Sequence, residues 1–124
     1  MIFKPTSEFP LLKLYQEKFY IDKNTIFAYD GVIYTNNELP ENLIVHERTH
    51  LKQQEKYGLA EWVKSYLEDE NFRIKMETQA YRNQLRSISD RNDRARMRMR
   101  CAIDLSGNMY GNIMTYDQAF KSII

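Results

Sequence analysis

His46 and His50 are the only two histidines in the chain, and they stand four residues apart in Leu43-Ile44-Val45-His46-Glu47-Arg48-Thr49-His50-Leu51. In a helix that spacing stacks both imidazoles on one face, a turn apart. Two imidazoles so placed can share one zinc ion, and Glu47 then lies beside the ion's open position as a general base. A catalytic zinc takes three protein ligands and keeps one position for water. With no third histidine and a single cysteine, Cys101, the third ligand must be a carboxylate. Glu77 is the leading candidate, because Ile74, Ala80 and Tyr81 flank it at helical spacing and aim it inward. Glu61, Glu68, Asp69 and Glu70 stand in polar surroundings or at a helix end. A carboxylate on an apolar face is costly to bury unless it meets a cation.

The elements that must position these residues follow from pattern. The histidines need a helix, expected from about residue 40 to 57, opened by Pro40 and stopped by Gly58. Its inward face carries Leu39, Leu43, Val45, His46, His50 and Leu51, while Gln53, Gln54, Glu55 and Lys56 lead out to solvent. Residues 59–67 repeat apolar side chains at i, i+3, i+4 and i+7, which predicts a short amphipathic helix. A third helix over about 71–87 returns Glu77 to the first. Upstream, Phe19-Tyr20-Ile21, Thr25–Tyr29 and Val32–Thr35 are rich in β-branched and aromatic residues, and Asp30-Gly31 joins the last two. Asp-Gly between such runs predicts a type I′ hairpin, hence a small antiparallel sheet over 19–35. Leu11 to Tyr15 can form a turn of helix, and the aromatic, proline-containing first 18 residues are a candidate cover for the site. Downstream, Arg91 to Asp104 has helical propensity, and Thr115-Tyr116-Asp117-Gln118 has the form of a capping box. The fold class expected is therefore α+β, a small antiparallel sheet packed on a mainly helical domain.

Composition bounds the rest. A chain of 124 residues, 43% hydrophobic and 28% charged, fits one globular domain over 1–124. A net charge of +1 gives no global electrostatic case for nucleic acid or membrane as partners. No apolar run approaches the roughly 18 residues of a transmembrane helix, and the N-terminus lacks the apolar stretch of a signal peptide. A single cysteine excludes an internal disulfide framework and a thiolate zinc cluster. A reducing cytoplasm is the expected compartment. The arginines between Arg91 and Arg100 fall on several helix faces, with Asp90, Asp93 and Asp104 nearby, and read as a solvated face.

The run from Leu39 to Gln54, with Trp62, Phe72-Arg73, Glu77 and Ala80-Tyr81, resembles the small HExxH metallopeptidase-like domains of bacteriophages and prophages. The tail from Leu105 to Asn112, followed by Asp117-Gln118-Ala119, resembles their closing segment. More broadly the chain is similar to the gluzincins, zinc peptidases with two histidines and a glutamate as ligands. The resemblance implies a zincin-like domain with the HExxH helix at its centre. It implies Zn2+ on His46, His50 and Glu77, with Glu47 as the catalytic glutamate. The implied setting is a phage-infected host cell or the virion, with peptide or protein substrates, or phage structural proteins, as partners. Thermolysin-type gluzincins carry an aspartate four residues after the ligand glutamate to orient a histidine. Here that position is Tyr81, so other groups must orient the imidazoles.

As an enzyme, such a protein would hydrolyse peptide bonds, with Glu47 moving the proton. An extended substrate would pair with the strand at 32–35, and Tyr81 and Tyr110 are candidate oxyanion donors. The alternative is a catalytically silent, zinc-binding structural component of a phage particle.

Overall fold

A computed structural model describes residues 1–124. The chain forms three strands, β1 (Ile2–Lys4), β2 (Phe27–Tyr29) and β3 (Val32–Tyr34). Six helices accompany them: α1 (Leu12–Gln16), α2 (Glu41–Tyr57), α3 (Leu59–Glu68), α4 (Glu70–Arg86), α5 (Arg91–Leu105) and α6 (Tyr116–Ser122). The architecture is α+β.

The hairpin forms where the turn chemistry places it. Asp30 and Gly31 both take positive φ, 50° and 80°, as a type I′ turn requires. β2 pairs antiparallel with β3, Ala28 opposite Ile33. The third strand differs from expectation. Phe19-Tyr20-Ile21 is not a strand, because the Phe19 amide continues the α1 turn by donating to the Tyr15 carbonyl (2.9 Å). The Phe19 ring is then buried among other aromatics. Ile2–Lys4 pairs with β3 instead, in parallel, so the sheet is mixed with order β1-β3-β2.

The helices follow the sequence pattern closely. Pro40 caps α2, and Gly58 joins α2 to α3 at φ 87°, a conformation that strains any residue with a side chain. Asp69 caps α4 through the amides of Asn71 and Phe72. The Thr115–Gln118 capping box is present in full at the start of α6. Side-chain pairs run Asn42–Gln84, Thr49–Asn83, His50–Glu77 and Gln53–Gln79, so α2 and α4 pack antiparallel. α3 is the connection that turns the chain back.

Two apolar clusters flank this pair. One is aromatic: Phe9, Tyr15, Phe19, Phe27, Tyr34, Trp62 and Tyr66, with Met76. The other gathers Tyr81, Leu85, Cys101, Ala102, Leu105 and Ala119 from α4, α5 and α6, with Ile123 just after α6. Phe9 and Tyr15 are thus core residues, which makes the N-terminal segment a wall rather than a detachable cover. No helix is long and apolar enough to cross a membrane.

Candidate metal centre

His46, His50 and Glu77 converge as their helix positions demand. His46 Nε2 and His50 Nε2 lie 3.2 Å apart. Glu77 Oε1 is 3.2 Å from His46 Nε2 and 3.2 Å from His50 Nε2. The three atoms make an equilateral triangle. Tetrahedral zinc with bonds of about 2.0–2.1 Å separates its ligand atoms by about 3.3–3.4 Å, so the donor set fits that ion in both chemistry and spacing. All three side chains are buried. The other carboxylates weighed for the role, Glu61, Glu68, Asp69 and Glu70, are exposed and take no part.

The imidazoles are oriented by amides. His46 Nδ1 donates to Gln84 Oε1 (2.9 Å), whose own amide nitrogen donates to Asn42 Oδ1 (2.9 Å). His50 Nδ1 donates to Gln53 Oε1 (2.9 Å). That oxygen also accepts from Trp62 Nε1 (3.3 Å), and an indole N–H can only donate, so the amide orientation is fixed. Both rings therefore carry the Nδ1 proton and turn an Nε2 lone pair toward the shared point when neutral. The second Glu77 oxygen accepts from Tyr66 Oη (2.6 Å).

The sequence pattern sent Gln53 and Gln54 to solvent, and the structure corrects this: each is only 4% exposed. Buried amides on α2 supply partners to polar groups that would otherwise be stranded. Gln54 spans from α2 to the sheet, donating to the Ala28 carbonyl (2.8 Å) and accepting from the Asp30 amide (3.1 Å). Tyr66, Gln53 and Gln84 are the site residues that pattern reading missed as partners. Gln84 stands seven positions after Glu77, two turns along one face, and that spacing was the available signal.

Charge follows geometry. Burial alone would lower the His50 pKa, but the Glu77 carboxylate outweighs it and pushes it up to about 9 in the metal-free chain. Burial works against the Glu77 carboxylate too, yet His50 and His46 hold its pKa well below the usual range. Glu47 is held above its usual range by burial, partly countered by the two histidines. The nearest ionisable side-chain atom is His46 Nε2 at 3.9 Å, and Glu47 makes no side-chain hydrogen bond to protein, so its carboxylate is free to act.

A cavity of about 60 Å³ adjoins the triad, lined by Glu47 and by the rings of Phe9, Tyr15, Phe19, Phe27, Trp62, Tyr66 and Tyr110. That is room for a few water molecules. A cleft of about 540 Å³ reaches the same His46 and Glu47 from outside, past Leu39, Leu43, Met109 and Tyr110. Tyr81 and Tyr110 both border this cleft and share a hydrogen bond of 2.7 Å between hydroxyls. Burial, with Glu77's charge second, raises both phenols well above their ordinary pKa, so each keeps its proton. Only Tyr110 also borders the inner cavity. Tyr81 packs its ring edge-on against His46, 4.4 Å between centroids.

The strand expected to receive a substrate is in the wrong place. β3 lies at the centre of the sheet with both edges paired. β2 is the edge strand on the α2 side, and its Ala28 carbonyl points away from β3 to Gln54.

No protein-family model, no curated protein and no solved structure matches this chain.

Proposed function

We propose that the chain is a zinc-dependent hydrolase of peptide bonds, with His46, His50 and Glu77 as metal ligands and Glu47 as general base. The observation that carries this reading is the 3.2 Å triangle of two imidazole nitrogens and a carboxylate oxygen, with an uncommitted carboxylate beside it. Zinc held by His46, His50 and Glu77 would supply Lewis acidity toward water and a substrate carbonyl. Glu47 accepts the water's proton and passes it to the leaving amine. Either hydroxyl of the Tyr81–Tyr110 pair can be the donor, and with Tyr81 donating, the Tyr110 proton is left for a developing oxyanion. The aromatic wall confines the inner cavity to a few water molecules beside Glu47.

A second reading, a zinc-binding structural protein without hydrolysis, draws support from the sheet. The outer edge of β2, where an extended peptide would pair, is already partly occupied by Gln54. For hydrolysis the substrate must take the remaining edge groups of β2 or lie in the outer cleft alone.

One experiment separates the two. Zinc-loaded wild type and Glu47→Gln are offered a denatured protein, with zinc content measured in both. Cleavage by the wild type and none by the variant, at equal zinc, supports the hydrolase. Equal zinc with no cleavage by either leaves the structural reading, and no bound zinc in the wild type removes both.

A further inference from the structure

The solvent-facing side of the α2–α4 pair is a groove of about 1010 Å³, larger than the cleft that leads to the triad. Arg48, Lys52 and Lys56 stand four apart on α2 and form one stripe at steps of about 6 Å. Lys75, Arg82 and Arg86 face them from α4. No acidic residue lines the groove. None of the six cations is in an ion pair, since the protein's ion pairs lie within the triad, Glu47 and Arg96–Asp93. Only Arg82 makes a side-chain hydrogen bond, to the Ser122 carbonyl. Like charges at i, i+4 destabilise a helix, so the fold gains nothing from this array. Between the cations stand neutral donors, Asn71, Gln79 and Asn83 among them. Thr78 Oγ1, the one buried side-chain oxygen without a hydrogen-bond partner, belongs to the same wall.

We infer that this groove binds a nucleic-acid strand through its phosphodiester backbone. A net charge of +1 conceals the asymmetry, because the acidic residues lie elsewhere. The occupant must be a polyanion with evenly repeated charge, since the cations repeat along the helices. A protein segment gains affinity from apolar anchors in pockets, and Val45, Tyr57 and Ile74 are the groove's only apolar residues. Phosphates need no such anchors: cations neutralise them, and amide and hydroxyl donors reach their free oxygens. No base-reading arrangement is present, so binding is independent of sequence and strongly dependent on salt. The groove shares Gln53, the His50 partner, with the surroundings of the triad, but none of its six cations bonds to a triad residue.

The test uses the full chain, zinc-loaded, and a fluorescent oligodeoxythymidylate of about a dozen nucleotides, read by anisotropy. Five or so neutralised phosphates give a slope of about −3.5 in log affinity against log salt. Lys52→Gln with Lys75→Gln weakens binding at least tenfold at low salt and flattens the slope by about 1.4. Arg91→Gln with Arg94→Gln removes the same charge from α5 and stays within twofold of wild type. Circular dichroism and thermal unfolding show that all variants are folded. Absent or salt-independent binding overturns the inference, as does equal loss in both double variants. Tighter binding of a polyglutamate peptide of equal charge also overturns it, and assigns the groove to an acidic protein segment.

Discussion

One pair of helices presents two opposite electrostatic faces. The inner face of α2 and α4 holds His46, His50, Gln53, Glu77 and Gln84, all buried and each with a named partner. The outer face holds Arg48, Lys52, Lys56, Lys75, Arg82 and Arg86, with no carboxylate among them. Inside, water is excluded, so polar groups survive only in a closed network. Outside, water solvates each charge and little stability depends on it. The comparison teaches where sensitivity should lie: inner substitutions disturb stability and metal together, whereas outer ones disturb at most an external ligand.

The largest effect is expected at Glu77. Glu77→Ala strips Tyr66 Oη of its acceptor and leaves two imidazoles facing each other without a counter-charge. Removing one partner of a buried charged set costs about 3–5 kcal/mol. Denaturant unfolding of the metal-free protein should show a loss of that size, and the zinc-loaded preparation should contain no zinc. A variant that unfolds like wild type would mean that the inner network carries no special weight.

The pH dependence of the metal-free protein comes next. His50 has its pKa raised from 6.5 to about 9 by Glu77, so its contribution is fully present below pH 6.5 and is lost as pH climbs to 9. Glu77 is shifted downward from 4.5, so its contribution is present above pH 4.5 and is lost as pH falls below it. The pair is therefore strongest between pH 4.5 and 6.5. At about 1.4 kcal/mol per unit, the loss from pH 6.5 to 9 has an upper bound of about 3 kcal/mol. Unfolding curves at pH 6 and pH 9 measure it, and Glu77→Ala should abolish the difference.

These effects also mark what the sequence made legible. The placement of His46, Glu47 and His50 was readable because it depends on spacing along one helix. Glu77 was readable because apolar neighbours at i−3, i+3 and i+4 forced a carboxylate inward. The hairpin was readable from Asp30-Gly31, whose φ values are local. The partner of β3 was not, because Ile2–Lys4 and Val32–Tyr34 are distant in sequence and pair in parallel. Gln53 and Gln54 were misplaced because amides in a polar run look solvated, and only the packed fold shows the donors they meet. The basic groove was invisible for the same reason: its two stripes belong to different helices, and net charge averages them away.

Tyr66→Phe is a milder probe of the inner face. It removes a single hydrogen bond to a charged oxygen, with expected destabilisation of about 2 kcal/mol. Glu77 keeps its place but loses the hydroxyl that orients it, so zinc affinity should fall about 10- to 100-fold, measured by competition with a chelator. Unchanged affinity would show that the imidazoles alone position the carboxylate.

The smallest effect tests the outer face. Lys52→Gln with Lys75→Gln removes two exposed, unpaired charges that contact no carboxylate. Surface changes of this kind stay within about 0.5 kcal/mol, and relief of the repulsion between Lys52 and its i±4 neighbours Arg48 and Lys56 makes slight stabilisation the expected sign. Unfolding curves at low and high salt read this directly, because the gain should vanish as salt screens the repulsion. A clear destabilisation would mean that these lysines support the fold. The two faces of the α2–α4 pair would then differ in degree only, and the groove would lose its claim to be kept for a ligand.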